Sequence, residues 1–294
     1  MLDDCTKLLF PASGAAELPL HFVPQVLRCV AAGPGGHPLH VLLDTGTDPS
    51  AIDLRLARRL GLRLGAFALG SDAASDTVPF TETVLPWLRL GSLELRDLYL
   101  LALDLSRSPF PLDLVLGYNV LSSLTLTVDY AQARLALRHP DLDPPTLHAA
   151  GISLPLTFFE HFPALEGATL HYPAASACAP HTALALPLLT IDTGSNGALT
   201  LGPDLAARAG LRVGADHVAT SAGQGFVEQV AVLRRPAARL HLGPFQFADV
   251  ELDASTSQRG DLGRAGRANL GNALLSRFQQ VTLDYRRAIC LLQP

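Results

Sequence analysis

Two stretches of this chain share one pattern: an apolar run that ends in Asp-Thr-Gly and a hydroxyl residue. Val41-Leu42-Leu43 leads into Asp44-Thr45-Gly46-Thr47, and Leu188-Leu189-Thr190-Ile191 leads into Asp192-Thr193-Gly194-Ser195. Short apolar runs bounded by turn residues predict buried strands. A carboxylate at the end of such a strand is costly unless it is satisfied. Two of them in matching settings suggest one shared site.

The pattern repeats beyond the triplets. Gly61-Leu62-Arg63-Leu64-Gly65-Ala66 matches Gly210-Leu211-Arg212-Val213-Gly214-Ala215, and Leu116-Gly117 matches Leu270-Gly271. Thr127-Val128-Asp129-Tyr130 matches Thr282-Leu283-Asp284-Tyr285. The matches keep one order, which reads as a duplicated domain. The division expected is an N-terminal lobe over 1–139 carrying Asp44, a proline-rich linker over 140–151, and a C-terminal lobe over 152–294 carrying Asp192.

Local signals fill in the elements. Residues 17–30 read as strands, and Gly33-Pro34-Gly35-Gly36 reads as a turn. Asp53 suits the N-cap of a short helix that Gly61 ends, and Pro203 and Gly210 frame a second helix in the same way. Hairpins are expected over 67–86 and 216–241. Each half then closes with a strand, a Leu-Gly turn, a short helix and a strand pair.

Composition narrows the function. The 294 residues are 48% hydrophobic and 17% charged, with net charge −5, which gives no electrostatic case for nucleic acid. No run approaches the ~20 apolar residues of a membrane span. Near the N-terminus Asp3 and Asp4 stand where a signal peptide carries basic residues, so a soluble protein is expected, with periplasmic, secreted and cytoplasmic compartments all open. Cys5, Cys29, Cys178 and Cys290 are too scattered for a disulfide framework or a zinc site, and no metal or other cofactor is expected.

The paired Asp-Thr-Gly segments, each with an apolar-apolar-Gly sequence downstream, resemble the signature of pepsin- and retropepsin-type aspartic peptidases. Val115-Leu116-Gly117-Tyr118-Asn119-Val120-Leu121 is similar to the corresponding segment of retroviral-type members, and Leu270 to Phe278 to the C-terminal end of pepsin-like enzymes. Asn269 departs from the pattern, standing where an apolar residue is usual. The resemblance implies a mostly-β, bilobal acid-protease fold made of two retropepsin-like β-barrel lobes. It implies a catalytic dyad of Asp44 and Asp192. Thr45 and Thr193 would hydrogen-bond across the dyad, Gly46 and Gly194 would allow close backbone approach, and Thr47 and Ser195 would donate their hydroxyls to the aspartates.

Two carboxylates within hydrogen-bond distance do not both ionise and share a proton. One can then take a proton from water while the other polarises a carbonyl. The expected activity is peptide hydrolysis by a monomer acting on a peptide or protein substrate. Gly223, Gln224, Gly225 and Phe226 are the expected substrate-covering flap, because two glycines permit bending. Ser71 to Thr77, with two aspartates and no glycine, is expected to be stiffer or turned to solvent. Two other readings stay open: an inactive peptide-binding relative of the same fold, and an actin- or Hsp70-like ATPase with two Asp-x-Gly phosphate loops.

Overall fold

Apolar residues at alternating positions, interrupted by Gly, Pro and Asp turns, give a chain that is mostly strand. The computed structural model describes residues 3–142, 151–172, 182–213, 218–224, 229–256 and 259–294. The remainder of the expected linker, 143–150, lies outside the described residues.

Among the described residues the strands form three sheets. An eight-stranded sheet draws only on strands between Lys7–Leu9 and Leu114–Leu116, and a ten-stranded sheet only on strands between Thr157–Phe159 and Ala268–Leu270. The third, six-stranded sheet takes strands from both halves. At its centre Thr125–Asp129 pairs antiparallel with Gln280–Asp284, with Thr127 opposite Thr282. Their buried hydroxyls lie 2.9 Å apart, so the two halves are joined by a backbone ladder and a side-chain bond at its middle.

The same local arrangement occurs twice around the two Asp-Thr-Gly turns. Pro38–Leu43 runs parallel to Leu114–Leu116, which pairs antiparallel with Ala51–Asp53. Leu189–Ile191 runs parallel to Ala268–Leu270, which pairs antiparallel with Leu199–Leu201. All of Leu114, Val115, Leu116, Leu189 and Ile191 are fully buried, as continuous apolar runs require. Leucines dominate the core beneath these strands.

Short helices lie where capping chemistry places them. Leu54–Arg59 begins at Asp53, whose side chain accepts from Leu56 N, and Gly61 takes a φ of +66° just beyond it. Pro203–Arg208 has proline in its first turn, and Gly210 follows with a φ of +76°. Tyr118–Leu121 and Asn272–Leu275 start directly after Gly117 and Gly271. The two expected hairpins are Phe67–Gly70 with Val78–Leu90 and Ala219–Gln224 with Gln229–Leu242. No helix among the described residues is long and apolar enough to cross a membrane.

Candidate active site

Asp44 and Asp192 are delivered by equivalent hydrogen bonds. Asp44 N donates to Leu116 O at 2.9 Å, and Asp192 N donates to Leu270 O at 3.0 Å. Beyond each aspartate the chain turns, and the two turns lock together. Thr45 N donates to Thr193 Oγ1 (3.1 Å) and Thr193 N to Thr45 Oγ1 (3.0 Å). Each hydroxyl passes its own proton to the opposite strand, Thr45 to Ile191 O (2.7 Å) and Thr193 to Leu43 O (2.8 Å). Every polar atom of this buried exchange is thereby satisfied.

The glycines of the two turns show how close the carboxyls come. A Cβ on Gly194 would lie 2.4 Å from Asp44 Cγ, and one on Gly46 would lie 2.9 Å from Asp192 Cγ. Only a residue without a side chain fits either position. Each aspartate therefore sits against the backbone of the opposite turn. Gly117 and Gly271 allow the same closeness one layer below, where a Cβ would meet Thr47 O at 2.3 Å and Gly197 O at 2.4 Å. There Tyr118 N donates to Thr47 O and Asn272 N to Ser195 O, each at 2.9 Å. Two asparagines brace the turns: Asn119 Oδ1 accepts from Ser50, and Asn272 Nδ2 donates to Thr193 O and Ser195 O.

The carboxyls have different partners. Asp44, 7% exposed, accepts from Gly46 N (2.8 Å) and from Thr47 Oγ1 (2.7 Å). Burial, followed by the neighbouring Asp192 charge, pushes its carboxyl up to about 7 against the opposing pull of those two bonds. Asp192 Oδ1 accepts from Gly194 N (2.9 Å) and Ser195 N (3.0 Å), and its Oδ2 accepts from Asn269 Nδ2 at 2.6 Å.

The expected Ser195 hydroxyl bond is not the one made. Ser195 reaches Asp192 through its backbone amide, while its Oγ accepts from Gly197 N at 3.3 Å. Asn269 Nδ2 donates to Asp192 Oδ2 instead. Its polar side chain in an apolar position was the signal in the sequence; its partner could not be read there.

Both aspartates line a cavity of about 700 Å³. One wall is apolar, with Val26, Leu42, Val78, Phe80, Leu103 and Phe110. The other is charged: Arg234 forms a bidentate pair with Asp253 (2.8 and 2.9 Å), and Arg267 lies near Asp261 and over the Phe159 ring. His161 Nδ1 contacts Asp48 and its ring stacks on Tyr118, joining the two halves at the cavity edge.

Residues 71–77 of the first-half hairpin, expected to be stiffer or turned to solvent, do not take the second course. Ser71, Asp72 and Ala73 line the cavity. Asp72 Oδ1 caps its own turn by accepting from Ala74 N and Ser75 N, which frees the backbone oxygen to accept from Asp261 N at 2.9 Å. Gly260 N donates to Asp76 Oδ1 at 3.0 Å. The aspartates taken as a reason for stiffness thus fold the tip and fasten it to the second half. Gly223 and Gln224 end the Ala219–Gln224 strand, opposite Val230 and Gln229. Gly225 and Phe226 lie outside the described residues.

Residues 30–120 match the family model described as aspartyl protease. Among curated proteins the chain has no match. That stretch, which delivers Asp44 together with its Leu116-Gly117 support, is thus similar to the aspartyl protease family.

Proposed function

We propose that the chain is a single-chain aspartic endopeptidase in which Asp44 and Asp192 form the catalytic dyad. The observation that carries this reading is the mutual approach of the two turns, each glycine lying against the opposite carboxyl. In this reading residues 1–139 and 152–294 are two lobes joined by 140–151, and the substrate lies in the cleft between them.

The chemistry follows from a shared proton. Burial and the second carboxyl push the Asp44 carboxyl up to about 7, so it holds a proton over the acidic range, and two carboxyls this close share that one proton. The ionised carboxylate takes a proton from a water set between the two. The protonated one donates to the carbonyl oxygen of the scissile peptide, and the tetrahedral intermediate then collapses as the amide nitrogen is protonated. Thr45 and Thr193 hold the two turns in register, Gly46 N and Thr47 orient Asp44, and Gly194 N and Ser195 N orient Asp192. An extended peptide crossing the cavity can set apolar side chains against the Val26–Phe110 wall and use backbone hydrogen bonds for grip. Because one chain carries both aspartates, the active species is a monomer.

The test is digestion of a diverse peptide library across acidic to neutral pH by the intact chain and by Asp44→Asn. Internal cleavage by the first and none by the second is the result expected. Equal cleavage by both would place the activity elsewhere.

A further inference from the structure

The backing of the two aspartates is not symmetric. In the first half Leu42 stands opposite Val115 on neighbouring parallel strands, and in the second half the same register positions hold Thr190 and Asn269. Leu42 and Val115 belong to a small apolar cluster with Val26, Val78 and Leu103. Thr190 and Asn269 instead form a polar relay. Thr190 Oγ1 lies 2.7 Å from Asn269 Oδ1 and 3.1 Å from Ala268 O, and Asn269 Nδ2 lies 2.6 Å from Asp192 Oδ2.

Hydrogen-bond accounting gives this relay a direction. Both oxygens around the Thr190 hydroxyl are acceptors, so the hydroxyl donates. The Asn269 amide is set with its oxygen towards Thr190 and its NH₂ towards Asp192. An NH₂ group can only donate, so the Asp192 oxygen it meets must accept. With two backbone amides on the other oxygen, Asp192 receives three donors. Asp44 receives two, Gly46 N and Thr47 Oγ1, and lies in front of apolar side chains.

We propose that Asn269, oriented by Thr190, is a positioning residue that keeps Asp192 ionised and leaves the shared proton on Asp44. This rests on the peptidase reading for its catalytic meaning: Asp192 becomes the base that activates water, and Asp44 the acid that polarises the carbonyl. Donation to the charged form favours it, and burial without a third donor favours the neutral form. The upward push on Asp44 acts in the same direction.

Other charged groups share the setting. Asp192 is faced by Asp44 from the first half and by Arg267 from the segment before Ala268–Leu270. Asp253, paired to Arg234, lies beyond Gly197, the Asp48–His161 pair closes the cavity edge, and Tyr285 lies on the Asp44 side. None of these changes between the chain and a variant at Asn269, so a difference between the two reports the relay.

The experiment uses the full chain, Asn269→Val, and the double variant Thr190→Leu/Asn269→Val, which installs the apolar pair of the first half and so preserves packing if the single variant folds poorly. Two readouts are taken: the pH profile of kcat/KM on a cleaved peptide, and the carboxyl carbon-13 resonances of Asp44 and Asp192 followed with pH. The proposal expects the acid limb of the profile to move up by about one pH unit in both variants, the size that loss of one bond to a charged group produces. It also expects Asp192 to read ionised where Asp44 reads protonated in the unaltered chain, with that order weakened or lost in the variants. Asp192 protonated before Asp44 in the unaltered chain overturns the proposal, whatever the variants do. So does a folded variant with an unchanged limb and an unchanged order of ionisation. If the unaltered chain cleaves no peptide, the peptidase reading fails, and the carboxyl resonances still decide where the proton sits.

Discussion

Thr45 and Thr193 are reciprocal partners: each backbone amide donates to the other's hydroxyl, at 3.1 and 3.0 Å. Each hydroxyl then donates to a carbonyl of the opposite strand. The exchange is 1% and 2% exposed, so no solvent stands in for a lost member.

Replacing Thr45 with Val should therefore destabilise the fold by more than an exposed hydrogen bond would. The variant keeps the shape but leaves Thr193 N and Ile191 O without partners, a loss of about 2–4 kcal/mol. Thr193→Val removes the other two of the four bonds and should cost a similar amount, and because the two side chains belong to one hydrogen-bond network the double variant should depart from the sum. Denaturant midpoints at constant m-value measure this. Fully additive losses would mean that the two residues act separately.

The raised carboxyl of Asp44 makes a prediction about stability and pH. Its folded value of about 7 lies above its ordinary 3.8, so the folded chain holds this proton more tightly than the unfolded chain does. The contribution favours folding below about 4 and is lost as pH rises through about 7. Relative to Asp44→Asn, the unaltered chain should lose a few kcal/mol across that window, roughly 1.4 kcal/mol for each pH unit between the two values. Parallel stability curves for the two proteins would contradict the raised value.

Gly260 tests the fastening of the first-half tip. Its φ is +66°, and an added Cβ would lie 2.6 Å from both Ala74 N and Asp72 O. Gly260→Ala should therefore push the 71–76 tip off the second half, at a cost of about 1 kcal/mol or more in stability. If the tip covers bound substrate, KM should rise severalfold while kcat changes less. An unchanged KM would mean that the contact is only structural.

The sequence made some of this visible and hid the rest for physical reasons. The strand-turn-helix units around Asp44 and Asp192 are written locally: apolar runs, an Asp-Thr-Gly turn, and Leu-Gly before a short helix. Asp53 and Pro203 mark helix starts through contacts within one turn. The tip of the first hairpin is a different case. Its position depends on Asp76 meeting Gly260, 184 residues away, and glycine content is no guide to such a contact. Ser195 misled because a hydroxyl next to Asp-Thr-Gly can turn either way, and a distant asparagine took the place it was expected to fill. Asn269 stood out as polar in an apolar slot, yet its meaning came only with strand register, which sets it opposite Thr190.

The most direct measurement is the rate of cleavage of one good peptide by Asp44→Asn and by Asp192→Asn, each checked for folding by its thermal transition. Removing either half of a proton-sharing dyad should lower kcat by at least about a thousandfold, the combined loss of an acid or base and of the charge it stabilises, with the fold intact. A folded variant at either position that keeps activity near that of the unaltered chain would contradict the dyad.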